Sequence, residues 1–178
     1  MARSSIDHLN VRPVSADDAD AFFRLVQDDR ELFATYFPVT TGRTTDSHST
    51  LSYLRDLVAQ AVAKETFCYV VTLEGSSVPV AAVFLKSFDH RVGKCELAYF
   101  VASAHQGKGI ASSAVAWAVD EAFRGHGMNK VFLRVDPGNG ASIRVAEKND
   151  FQREGLLRQD FRTNDDRLLD VIVFGKLR

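Results

Sequence analysis

Cysteine is scarce. Cys68 and Cys95 are the only two in 178 residues, too few for a disulfide framework or a four-thiolate metal site. Both sit in apolar, strand-like runs, so they are expected as buried free thiols, in keeping with a reducing compartment. An excess of one charge is also missing. Lys and Arg number 22 against 23 Asp and Glu, a net charge of −1, which leaves no global basic field for nucleic acid and no acidic tail. No apolar run approaches ~18 residues, so no membrane-spanning helix is expected. The stretch from Met1 to His8 lacks the apolar segment of a signal peptide, and a cytoplasmic protein is the expectation. Internal repeats, low-complexity tracts and Pro/Ser-rich linkers are absent as well. What is there is an ordinary globular composition, 46% hydrophobic and 25% charged. A chain of this length buries about 70% of its extended surface, enough core for a single domain over residues 1–178 without metal or disulfide support.

Periodicity places the elements. Leu9, Asn10, Val11 and Arg12 alternate like a half-buried strand. Ser15 with Asp18 resembles a capping box, and Ala19, Phe22, Phe23 and Val26 follow at helical spacing. From Pro38 to His48 the chain is rich in Thr, Ser and Gly and reads as a loop. A second helix puts Leu51, Leu54, Leu57, Val58, Ala61 and Val62 on one stripe. Strands are expected over 67–73 and 78–86, joined by a Gly75 turn, and over 94–101. An apolar helix over 110–123 ends at Gly125 and Gly127. A strand over 130–135, a short helix over 141–148 and strands near 151–157 and 168–174 complete the chain. The order is β-α-α-β-β-β-α-β-α-β-β. Hairpins demand antiparallel pairing, whereas the unit from Lys94 to Val135 demands a parallel crossover. The expected fold is an α/β (α+β) domain with a mixed, mostly antiparallel sheet of about seven strands and about four helices.

The informative segment runs from Glu96 through Val101 into Gln106-Gly107-Lys108-Gly109-Ile110-Ala111. A strand enters a glycine loop that opens a helix. The first turn of a helix presents unpaired N–H groups and partial positive charge, and suits a phosphate if the backbone can be approached closely. Gly107 and Gly109 remove the Cβ atoms that would obstruct this. The loop lacks the G-x-x-x-x-G-K-[ST] spacing of Walker A. Ser112 stands where a dinucleotide fingerprint needs its third glycine, so ATP or NAD binding is the weaker alternative.

Gln106-x-x-Gly109-x-Ala111, after a strand and before a helix, resembles the Q/R-x-x-G-x-G/A acetyl-CoA motif of the GNAT N-acetyltransferases. Asn139-x-x-Ser142, with Ala146, Lys148, Phe151, Glu154, Gly155 and Arg158 behind it, is similar to the pattern of the branch that holds the Rim-type ribosomal-protein N-terminal acetyltransferases. The resemblance implies a GNAT sheet whose fourth and fifth strands splay around acetyl-CoA. It implies that backbone groups of Phe100 and Val101 pair with the pantetheine, and that the N–H groups of Gly107, Lys108, Gly109, Ile110 and Ala111 hold the pyrophosphate beside Gln106. Asn139 then bonds the pantetheine arm, and Ser142 lies near the thioester sulfur. No metal is implied. The family's tyrosine acid is replaced by Ala146 here, which leaves the role to Ser142. Asp150 replaces the usual glycine at that helix end, in a left-handed conformation that Asp tolerates.

Acetyl transfer requires a neutral amine. A chain α-amine with a pKa near 8 is about a tenth neutral at pH 7, whereas a lysine near 10.4 is neutral in under about a thousandth, a difference of about 3 kcal/mol. The candidate bases are Glu96, a carboxylate within an apolar strand run or else an ordinary strand-edge charge, and Asp160. His105 is expected to be structural. Lys108, Arg144 and Lys148 are candidates for the CoA phosphates or simply solvated charges. Tyr36, Phe37 and the 38–48 loop either line the acceptor cleft or pack in the core. The expected acceptor is a peptide or protein N-terminus. A small-molecule amine (antibiotic, polyamine or amino acid) and a non-catalytic acyl-CoA-binding module are the alternatives, and both monomer and homodimer stay open.

Overall fold

The computed structural model describes residues 9–178; Met1–His8, including the stretch read above for a signal peptide, lies outside the described residues. Seven strands form one sheet in the order β1-β2-β3-β4-β5-β7-β6. They are β1 (Leu9–Pro13), β2 (Phe67–Leu73), β3 (Pro79–Asp89), β4 (Lys94–Val101), β5 (Lys130–Val135), β6 (Gln152–Arg162) and β7 (Leu168–Leu177). Every neighbouring pair is antiparallel except β4 and β5, which run parallel. The connection between those two is α5 (Ile110–Asp120), which a parallel pair needs to return the chain to the same end of the sheet.

Strand alternation divides the core in two. On one face Tyr69, Val71, Val83, Leu97, Val131 and Leu133 pack with Ala114, Val115 and Ala118 of α5 and Ala146 of α6 (Gly140–Lys148). On the other, Cys68, Val70, Ala82, Phe84 and Phe100 pack under α1 (Ala19–Asp28) and α4 (Ser47–Val62), through Phe22, Val26, Leu54 and Leu57. Phe100 sits at the centre of a ring cluster, with centroids 4.5 Å from Phe33 and 5.1 Å from Phe37. Cys68 and Cys95 are buried and unbridged, as expected, and burial pushes both thiols upward in pKa. Among the described residues no helix is long and apolar enough to cross a membrane.

Three expectations are corrected. The segment from Pro38 to His48 is not a loop: it holds α3 (Pro38–Arg43) and the start of α4. Pro38 fits the first helical turn, which needs no donor there. The Thr41 and Thr44 hydroxyls donate back to the carbonyls of Phe37 and Thr40 at 3.0 and 2.8 Å, so threonines that look loop-like are satisfied inside a short helix. Asp46 caps α4 by accepting from the Ser49 N–H at 2.7 Å. A further short helix, α2 (Arg30–Ala34), was not expected. The buried stripe of α4 is Thr50, Tyr53, Leu54 and Leu57; Val58 and Val62 face solvent. In α5 the apolar face ends in a π-helical turn over Glu121–Gly125.

Candidate active site

The parallel pairing of β4 with β5 covers Lys94, Cys95 and Glu96 and no more. Beyond Glu96 the strands part, although β4 continues to Val101 and β5 to Val135. The gap is a cavity of about 110 Å³, walled by Leu97, Ala98 and Tyr99 on one side and Leu133, Arg134 and Val135 on the other. Asn139 and Ser142 reach it from the start of α6, and Tyr36, Phe37, Phe161 and Leu169 from the opposite face. The expected splay is present, and it brings Glu96, Asn139 and Ser142 to one cavity.

Phe100 and Val101 are buried, with their side chains in opposite cores, so only their backbone is available to the gap. After Val101 a 3-10 turn over Ser103–His105 leads to the glycine loop. The Gln106 amide donates to the Val101 carbonyl at 3.2 Å, fixing the end of the strand against the loop. Gly107 and Gly109 have φ of +72° and +83°, and a Cβ at either would meet nothing within 4 Å. The left-handed backbone favours glycine, and its lack of a side chain leaves that space open to a ligand. Gly109 is the N-cap of α5 and supplies no side-chain cap. The N–H groups of Ile110, Ala111 and Ser112 precede the first intrahelical bond, from the Ser113 N–H to the Gly109 carbonyl, and lack intrahelical acceptors. An anionic pyrophosphate fits such a cradle. Lys108 folds back, its ammonium donating to the Ala104 carbonyl at 2.8 Å.

Asn139 is the N-cap of α6, its Oδ1 accepting from the Ser142 N–H at 3.0 Å. That bond fixes the amide orientation, and Nδ2 keeps its donors. Asp150 adopts φ +60°, the left-handed conformation expected of it.

Glu96 is no strand-edge surface charge: it is 5% exposed. Its Oε1 accepts from Arg134 Nε at 3.0 Å and its Oε2 from Nη2 at 3.3 Å. The Ser87 hydroxyl donates to Oε2 at 3.3 Å, and Lys86 Nζ lies 3.7 Å from Oε1. Asp160 shares the same guanidinium, 3.2 Å from Nη1. The two candidate bases are thus joined through Arg134, a residue the sequence reading passed over because its partner lies 38 positions away on the neighbouring strand. Tyr36, expected either at the acceptor cleft or in the core, lines the cavity, whereas its partner Asp136 was hidden from the sequence. The Tyr36 hydroxyl donates to Asp136 Oδ2 at 2.8 Å, tying the end of α2 to the end of β5 across the cavity. Burial, with Asp136 beside it, pushes the Tyr36 phenol up to about 12. Tyr99, also unforeseen, stands beside Ser142 on the cavity wall. His105 does not line the cavity. Among the described residues no cluster of His, Cys, Asp and Glu is arranged to hold a metal ion.

Residues 8–152 match the acetyltransferase (GNAT) domain family. Among curated proteins, an uncharacterized N-acetyltransferase, p20 of Bacillus licheniformis, is 26% identical over 173 residues, 97% of this chain and 94% of that one. Among solved structures, RimJ of Mycobacterium smegmatis in complex with CoA-disulfide superposes with a TM-score of 0.86 at 25% identity, covering 95% of this chain and 81% of that one. The ribosomal-protein-S5-alanine acetyltransferase of Vibrio fischeri superposes with a TM-score of 0.87 at 22% identity, over 96% and 93% of the two chains. With the glycine cradle, the parted strands and a family match over most of its length, the chain belongs to the GNAT family and is an acetyltransferase.

Proposed function

We propose that this acetyltransferase moves the acetyl group of acetyl-CoA directly to a primary amine, and that the acceptor is the N-terminal α-amine of a peptide or protein. The observation that carries the reading is the cavity itself, which joins Asn139 and Ser142 at the start of α6 on one face to Tyr36, Phe37, Phe161 and Glu96 on the other. Donor and acceptor can meet there without a covalent enzyme intermediate. The similar RimJ was solved with a CoA disulfide, which supports a CoA ligand in the same cleft.

In this reading Gly107, Lys108, Gly109, Ile110 and Ala111 hold the pyrophosphate through their backbone, with Gln106 bracing the loop. The edges of Phe100 and Val101, freed where β5 departs, pair with the pantetheine, and Asn139 Nδ2 donates to it. Glu96, held in place by Arg134, receives the amine's proton through a water. Ser142 donates to the departing sulfur. An α-amine needs only this modest base, since it is about a tenth neutral at pH 7. The buried free thiols suit a reducing cytoplasm.

The test is calorimetric titration with acetyl-CoA, followed by CoA release with peptides bearing free N-termini and with polyamines, aminoglycosides and amino acids. Micromolar one-to-one binding and turnover that disappears when the peptide N-terminus is blocked are expected. Faster turnover of a small amine would assign the acceptor to that class instead. Ser142→Ala is expected to lower turnover about 10-fold to 100-fold with acetyl-CoA affinity intact. A binding module would show affinity with no CoA release at all.

A further inference from the structure

We infer that the Tyr99 hydroxyl is a second catalytic hydrogen-bond donor, directed with Ser142 at the thioester sulfur as it departs. The inference rests on the acetyl-CoA reading of the cavity given above. Tyr99 lies in β4 between Leu97 and Val101, on the face covered by α5 and α6. It comes three positions after Glu96, the last β4 residue paired with β5, so its ring lines the gap alongside Leu133, Asn139 and Ser142. Its hydroxyl oxygen is sealed from solvent and has no hydrogen-bond partner among the described residues, a property shared there only by His105 Nδ1, which lies off the cavity. The Ser142 hydroxyl beside Tyr99 tempers the upward push that burial exerts on the phenol, as a donor to the phenol oxygen would, and the phenol's own proton has no acceptor within hydrogen-bond geometry among the described residues.

A buried hydroxyl without a partner is destabilising, and a phenylalanine would fill the same apolar wall without that penalty. The hydroxyl is therefore matched to an acceptor the protein does not itself contain. Within a cavity that holds a thioester, two atoms become strong acceptors during reaction, the carbonyl oxygen and the sulfur. The oxygen is served by backbone N–H groups that β4 exposes where β5 leaves it. The sulfur has only the Ser142 side, which is where Tyr99 stands.

The chemistry balances without a proton from tyrosine. The amine forms the C–N bond, and the C–S bond breaks with its electron pair on sulfur. The proton shed by the amine passes to Glu96 through water and returns to the thiolate by solvent. A phenol is a weaker acid than a thiol, near 10 against roughly 8.5 in model compounds, and burial raises this phenol further. It thus keeps its proton and donates a hydrogen bond throughout.

Tyr99→Phe tests this. The variant is expected to melt no lower than the wild type, since it loses an unsatisfied group, and to bind acetyl-CoA within about twofold. Its kcat is expected to fall about 10-fold to 100-fold. The thiol of enzyme-bound CoA, followed by the ultraviolet absorbance of the thiolate, is expected to titrate at higher pH in the variant than in the wild type. Unchanged kcat would overturn the inference. So would a lowered kcat with an unshifted thiol titration, because Tyr99 would then be only a packing or positioning residue. A wild-type protein that fails to bind acetyl-CoA would instead overturn the underlying reading, and the inference with it.

Discussion

A carboxylate between Cys95 and Leu97, both buried, is tolerable only if its charge is answered. Arg134 answers it with two hydrogen bonds, while its own side chain stays 28% exposed and reaches Asp160. Removing the guanidinium leaves a buried carboxylate with Ser87 and a more distant Lys86. Breaking a buried pair in this way costs about 3–5 kcal/mol when no other partner remains. With Lys86 and Ser87 still present, Arg134→Ala is expected to destabilise by about 2 kcal/mol in urea denaturation, with the slope unchanged. A loss below a few tenths would mean that Lys86 and water already satisfy Glu96. The sequence shows that Glu96 is anomalous, an acid within an apolar run, but not what resolves the anomaly. Alternation and composition report which residue is buried, whereas partners such as Arg134, or Asp136 for Tyr36, are set by strand register and by contacts 100 positions apart.

At the scale of elements, the start of α5 is where sequence and structure agree most closely. The glycine loop, Gly109 as the last residue before the helix and Ile110 as its first are all legible, because a left-handed turn into a helix has few residue solutions. The two helices α2 and α3 are not legible. Each is five or six residues long, too short for periodicity, and is held by contacts from outside itself, such as Arg30 donating to the carbonyls of Thr41 and Thr44. In α4 the misread stripe has the same origin: Thr50 and Tyr53 are buried because Asp46 and Thr40 take their hydroxyls, which hydropathy does not register. The functional weight of the α5 start can be measured. Gly109→Ala forces a Cβ onto φ +83° and places it in the open space over the first turn. A stability loss of about 1 kcal/mol is expected from the backbone alone, together with a drop of 10-fold or more in acetyl-CoA affinity by calorimetry, on the order of 1.4 kcal/mol. Intact affinity in a folded variant would show that the phosphates do not sit over Gly109.

The whole molecule is a sheet covered unequally. Strands β2, β3 and β4 are buried on both faces, by α5 on one side and by α1 with α4 on the other. At the far edge, β6 is exposed along nearly its full length, with only Gly155 and Phe161 half-buried. Its register shifts twice against β7, between Arg153 and Gly155 and between Leu157 and Phe161. Between these regions the β4–β5 contact stops after three pairs, so the sheet is weakest where its two halves join, and the cavity lies at that seam. A split sheet of this kind lacks backbone partners along the inner edge of β4, and a ligand that pairs there supplies them. Amide hydrogen exchange should therefore separate three regions. The amides of β2 and β3 are expected to open only with global unfolding, and those of β6 on the order of 100-fold faster through local opening. Residues 97–101 and 109–113 are expected to be intermediate in the free protein and to slow markedly with acetyl-CoA. At a ligand concentration of 100 times Kd, binding adds about 2.7 kcal/mol to global stability, so β2 and β3 should slow by that common amount. The seam should slow by more. Uniform slowing, with no excess at 97–101, would show that the ligand stabilises the fold without bridging the gap, and the backbone pairing assigned to Phe100 and Val101 would have to be given up.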